Sequence, residues 1–351
     1  MSSDTFFSNT EKGELTKHLS AAPVQRLIPV AQDSRSRQVR SPSRETPTTE
    51  ATTTTTAMVE VPEDELASSI VPDVMFTSSD ALFWQLKAVL RNSDMDSLVV
   101  GQVSADTYRA LKAKRDRHGY HYRFFFIPDV ACIIVTCPTL HHERAHLEVY
   151  ARVYSALMRM GVEDQWTHSG SAELDAQGGA SGSGQGDSSG GPLSRRDQVD
   201  DDFWPTLVVE AGASQSLPSL RIKARWWFAA SNFHMKVVVL VKLIAATFTI
   251  QIEQWVAEAR GPQRHGATTT WAGRAAKQPV LEQQVSIDWV GLSPLNQTPF
   301  NRRALANFRV VGAPLVLRFE DLMERPPVPA AGEHDVVISE ANLQMVAKCV
   351  W

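Results

Sequence analysis

Apolar residues recur along this chain in two rhythms, one of helical period and one alternating, and their order predicts a mixed α/β fold. Residues 80–91 and 105–115 carry apolar groups at helical spacing, with a short strand at 98–103 between them. Two β-rich runs, YRFFFI at 122–127 and CIIVT at 132–136, flank Pro128-Asp129, whose fixed φ and short acceptor side chain suit a turn; they predict a hairpin. Residues 141–160 set Leu147, Tyr150, Val153, Tyr154, Leu157 and Met158 on one face, after Pro138-Thr139 and before Gly161, the limits of an amphipathic helix. A strand is expected at about 166–174 and a buried one at 206–210 (TLVVE). A helix follows at 216–230, where Pro218 is tolerated because N–H groups of a first turn have no helical partner. Residues 236–243 are nearly all apolar, as in a strand covered on both faces, and 247–255 alternate. From about residue 256, the segments 283–290 and 315–319 and a C-terminal helix at 340–350 read as additions packed onto this core.

Two stretches break the pattern. Residues 1–71 are rich in Ser, Thr, Pro, Arg and Gln, including SRSRQVRSPSRE and five threonines at 52–56, and hold too few large apolar groups to offset the entropy of ordering. They predict a disordered tail, whose Arg/Ser run reads first as solvated chain and second as a localisation or nucleic-acid patch. The other stretch, GGASGSGQGDSSGGP at 178–192, has a flexible linker's composition and predicts a surface insertion spanning 176–198. That leaves a single domain over residues 72–351.

Composition narrows the class. A chain of 351 residues with 43% hydrophobic residues supports one domain of substantial core plus unstructured segments. A formal net charge of −4 excludes a protein that coats nucleic acid nonspecifically, so any nucleic-acid contact must be local. Cys132, Cys137 and Cys349 form neither a disulfide framework nor a CxxC pair, which predicts a reduced, intracellular setting, nucleus or cytoplasm undecided. The first twenty residues lack a secretory signal's basic start and apolar run, and the longest apolar stretch, 237–250, is interrupted by Lys242; no membrane span is expected.

The candidate chemistry centres on Glu210, an acid closing an otherwise apolar strand, where an unpaired carboxylate is costly unless it binds something. The plainer reading is a salt bridge or a contact with the next helix's N-terminus. A helix, a meander carrying acids, a crossover helix and a further strand is a topology that sets carboxylates at one sheet edge, where hard oxygens hold Mg²⁺ or Mn²⁺. Phosphodiester hydrolysis then needs a cation for the developing charge; Lys236 and Lys242, at even spacing on one strand, project to one face and are the candidates, although Lys236 also reads as an exposed strand start. The string HERAH at 142–146 fits HExxH. Its helix begins close to the motif, and only later histidines such as His168 or His234 are available as a third ligand, so zinc is not expected there. Trp226 and Trp227 read as packing residues.

The run PTLVVEAGASQSLPSLRIKARWWFAASNFHMKVVVLVKL, with RFFFIPDVACIIVTCPTLHHERAHLE and the IEQW strand, resembles the fungal restriction-endonuclease-like proteins related to the PD-(D/E)XK nucleases, over residues 97–255. The resemblance implies a restriction-endonuclease-like α/β core, with helix, three-strand meander, crossover helix and further strands. It also implies metal-dependent action on phosphodiester bonds. By it, Asp201 or Asp202 is the first metal acid, Glu210 the second and Glu143 the helix acid, with Ser214 and Gln215 in support. Gly212 stands where the nuclease motif has lysine, the spacing from Asp202 to Glu210 is short for a strand and turn, and Lys223 falls where an acid is expected and reads as surface charge. Loss of the motif lysine favours the rival reading, a non-catalytic interaction or structural protein that keeps the fold; a zinc hydrolase built on HERAH is the second.

Overall fold

The computed structural model describes residues 70–91, 95–177, 181–195, 203–259, 277–291 and 304–351. The expected N-terminal tail up to residue 69 lies outside these residues, as do Asp201 and Asp202.

The first half runs β1 (Val74–Met75), α1 (Ser79–Arg91), β2 (Ser97–Gly101), α2 (Ala105–His118), β3 (Arg123–Ile127), β4 (Cys132–Thr136) and α3 (Leu140–Met160). Then come β5 (Trp166–His168), β6 (Glu173–Asp175), β7 (Ser183–Gln185), β8 (Ser188–Pro192) and β9 (Leu207–Gly212). The second half comprises α4 (Leu217–Ala230), β10 (Val237–Ile244), β11 (Thr249–Ala259), β12 (Lys277–Trp289), β13 (Phe308–Val311), β14 (Leu315–Leu317), α5 (Phe319–Met323), β15 (Val336–Ile338) and α6 (Glu340–Val350). The expected hairpin is β3–β4, paired from Arg123↔Thr136 to Ile127↔Cys132. Helix α3 starts at Thr139, whose hydroxyl accepts from the His142 amide, and stops at Gly161 in the left-handed region, where a glycine meets no Cβ penalty.

Among the described residues the strands form two large mixed sheets, β1-β2-β4-β3-β7-β6 and β13-β12-β11-β10-β9-β8-β5, and the small β14–β15 pair. β9 and β10 are parallel, joined by α4 as the crossover, while β10, β11 and β12 are antiparallel. Alternation along β9 turns Leu207, Val209 and Ala211 into the apolar core with α3, and Val208 into a second core with α4. Val237, Val239 and Val241 against Val238 and Leu240 repeat this split on β10, so the strand is apolar throughout because both faces are covered. Each such side chain contributes about 1.5–3 kcal/mol by leaving water.

Three expectations need correction. The run at 166–174 is two strands in different sheets, parted at Gly170, whose φ of 58° turns the chain. The segments after residue 256 are no appendage: Val285, Phe308, Leu317, Phe319, Leu343 and Val346 share one core with Val209 and Val239. And the glycine-rich stretch is no flexible surface insertion where it is described: β7 joins one sheet, and all five residues of β8 are buried between β5 and β9. Small residues are needed there for close approach. A Cβ on Gly184 would stand 2.7 Å from the Phe125 ring, and one on Gly190 would run into the Tyr150 hydroxyl and lie 2.6 Å from Trp166 Nε1. A linker's composition and a strand squeezed between aromatic rings look alike in sequence.

Candidate functional site

Glu210 faces α4 from the middle of β9 with no solvent exposure. The helix is capped by Ser216, whose hydroxyl accepts from the Ser219 amide. It brings Lys223 and Trp227, one turn apart on one face, over the carboxylate. Lys223 Nζ donates to Glu210 Oε2 at 3.0 Å and Trp227 Nε1 to Oε1 at 2.8 Å. Burial and the nearby charge of Asp187 push the Glu210 carboxyl above its usual range, against the pull of Lys223 and Trp227. Lys223, taken from sequence as surface charge, is only 1% exposed.

The partner acid comes from the glycine-rich stretch. β8 pairs antiparallel with β9 through Ser188↔Val209, and Asp187, just before β8, reaches the β9 backbone at Ala211. Asp187 accepts from the Ala211 amide and from Arg123 Nη1, each at 2.8 Å, and its Oδ2 lies 3.1 Å from His142 Nε2. The other nitrogen of His142 is 2.9 Å from Asp96 Oδ2, and Asp96 also accepts from the amides of Ala213 and Ser214 and from the Ser214 hydroxyl. Burial opposes a charged ring at His142, but the carboxylates of Asp187 and Asp96 outweigh it and raise the imidazolium to about 9. Burial likewise opposes ionisation of Asp187, and the positive ring of His142 overcomes it, holding Asp187 well below the carboxylate range. Arg123 also donates to Glu143 at 2.8 Å. With its side chain 32% exposed, Glu143 marks the cluster's more open side, where Arg123 reaches 18%.

The residues singled out from sequence divide accordingly. Glu210, Glu143 and Ser214 all belong to this network. Gln215 borders it, donating to the Ser219 hydroxyl at 2.9 Å. The two lysines do not reach Glu210. Across β10 Glu210 faces Leu240, so Lys236 stands four residues away, about 13 Å along the strand. It donates to the Phe233 carbonyl and lies 3.4 Å from Glu324. Lys242 is on the correct face but donates to the carbonyls of Ala213 and Gln215. Burial lowers both ammonium groups below their usual range. Trp226 and Trp227 pack against Trp204 and Phe125, and Trp227 adds the donor to Glu210. Sequence reasoning missed Asp187 and Asp96, weighed His142 only as a zinc ligand and read Lys223 as surface charge. The available signal was Asp187 itself, the sole acid between residues 176 and 196.

No family model matches the chain, and no curated protein does. Among solved structures, one described as a putative nuclease belonging to DUF820, from Anabaena variabilis, is similar at 11% identity and a TM-score of 0.30, over 61% of this chain and 87% of that one. So loose a likeness transfers no activity.

Proposed function

We propose that the chain is a metal-dependent, nuclease-like phosphodiesterase whose site is Asp187, Glu210 and Lys223, with nucleic acid as the substrate class. The observation that carries this reading is a buried ammonium, Lys223, 3.0 Å from the buried Glu210 carboxylate, which also feels the charge of buried Asp187, the residue just before β8. Burying charges at this density is a poor route to stability, and such clusters concentrate at functional sites. The donor set fits a hard dication: Asp187 and Glu210 would hold Mg²⁺ or Mn²⁺, and the ion would polarise the phosphate and supply an activated water. Lys223, coming from the crossover helix, supplies the charge that Gly212 cannot, and Arg123 at the open side fits a bidentate phosphate contact. His142, fixed between Asp96 and Asp187, keeps the first acid ionised and oriented. The complete pairing of Glu210 with Lys223 and Trp227 favours the alternative, a fold that has turned its acids into internal ion pairs.

The test is cleavage of single-stranded and duplex DNA and RNA by the full chain with Mg²⁺, Mn²⁺ or EDTA. Cleavage that needs the dication and disappears in Asp187→Asn supports the phosphodiesterase. A folded wild-type chain that cleaves none of these substrates with either ion establishes the alternative.

A further inference from the structure

We infer that the first turns of α3 carry a binding site for a transition-metal dication of the zinc class, formed by Nε2 of His142, Nε2 of His146 and the Glu143 carboxylate. The ligand atoms of these three residues all lie within 4.8 Å of one another, close enough for small side-chain shifts to place them round one ion. The two histidines are one helical turn apart with ring centroids separated by 5.6 Å. Each is held from behind. His142 Nδ1 is 2.9 Å from Asp96 Oδ2, and His146 Nδ1 is 2.8 Å from the Ser188 hydroxyl, so both rings turn their Nε2 atoms inward. Tying the outer nitrogen is how proteins orient metal-binding imidazoles. His146 Nε2 is buried and makes no hydrogen bond; its neighbour is Glu143 Oε2 at 3.2 Å, badly aligned for one. A buried ring nitrogen left in that state is costly unless something else takes its lone pair.

The two objections raised by sequence are removed. Leu140 opens the helix, so both histidines lie inside it, and a further oxygen ligand is at hand in Asp187, 3.1 Å from His142 Nε2. Two imidazoles with carboxylate oxygens suit zinc, cobalt or manganese better than magnesium, which takes oxygen almost alone. Binding must move Arg123 Nη1, now 3.4 Å from the His142 Nε2 atom. Arg123 is therefore the built-in competitor. This site does not rest on the phosphodiesterase reading: a chain that binds zinc and cuts nothing sustains it while sinking the other.

The experiment is calorimetric titration of metal-free, full-length protein with Zn²⁺, paralleled by Co²⁺ with visible absorption read for low-symmetry coordination. One equivalent should bind. His146→Ala should abolish binding, and Ser188→Ala, which frees the ring without removing a ligand, should weaken it by about 10- to 100-fold. Arg123→Met should tighten it. Absence of uptake by the wild type, or unchanged affinity in both His146→Ala and Ser188→Ala, overturns the site. If His146→Ala does not fold, the Ser188→Ala affinity alone decides.

Discussion

The β9–β10 pair carries a buried ionic cluster at each end, and the two are built differently. At the start of the strands, Arg195 donates to both oxygens of Glu324 and to the carbonyls of Trp204 and His234, binding three distant segments together. Its partner Glu324, and Lys236 beside that carboxylate, keep contact with water, their side chains 31% and 22% exposed. Towards the far end, Asp187 and Glu210 are sealed, and the acids Asp96, Glu143, Asp187 and Glu210 are held by Arg123, His142 and Lys223. The first cluster is a strut, with each guanidinium nitrogen used and solvent left to screen the remainder. The second is closed to solvent at its two central acids and leaves the His146 Nε2 atom beside it without a hydrogen bond. Charge pairing alone does not distinguish structure from function; what solvent and geometry leave unsatisfied does.

The comparison breaks most readily at Glu210. Glu210→Gln strands Lys223 in the interior and should cost about 3–5 kcal/mol in chemical denaturation, whereas adding Lys223→Met should recover most of that, since an apolar pair of similar volume avoids both desolvation penalties. A single-variant loss under about 1 kcal/mol, the range of exposed pairs, would show that the two charges are not sealed together. Next, Asp187→Asn should slow dication-dependent cleavage by about 10²-fold or more, about 2.7 kcal/mol of barrier, with the fold retained by circular dichroism. At the strut, Arg195→Met should lower stability by about 1–3 kcal/mol through unmet carbonyls while leaving the cleavage rate per folded molecule unchanged; a rate that drops with it would merge the two clusters into one.

The smallest effect belongs to a third pair, in the segment between α5 and β15. Arg325 grips Glu333 through two hydrogen bonds of 2.6 and 2.8 Å and holds its carboxyl down at about 2. A depressed carboxyl stabilises the fold above the ordinary glutamate range, and that contribution is lost as the pH falls towards 2. A carboxyl titration followed by NMR should find Glu333 well below its neighbours and returned to the ordinary range in Arg325→Met.

The sequence made the apolar architecture legible because periodicity is a local signal. The helix after Thr139, the YRFFFI–CIIVT hairpin and the doubly covered VVVLVKL strand all stand where spacing puts them. Glu210 was visible for the same reason, as one acid in an apolar strand. Its partners were not. Lys223 carries no local mark of burial, since only the packing of α4 on the sheet decides that it faces Glu210. Asp187 was hidden by its neighbours, whose glycines and serines signal flexibility in isolation but fit a strand pressed against Tyr150 and Trp166. Lys236 and Lys242 had the correct parity and the wrong height along the strand, a distinction alternation cannot make.

Strand β8 also sets an order of events in folding. SSGGP has little intrinsic tendency to extend, and its backbone pairs with β9 and β5 without large apolar side chains of its own to recruit them. The antiparallel β10–β11 hairpin closes over a few residues and is rich in valine and isoleucine, so it can assemble early. β8 must wait until β9, Tyr150 and Trp166 have built the slot that accepts it. The acid Asp187 thus arrives last, and amide exchange should be faster across residues 183–192 than across 237–256. A chain caught before that step would be folded in its core and blind at its site.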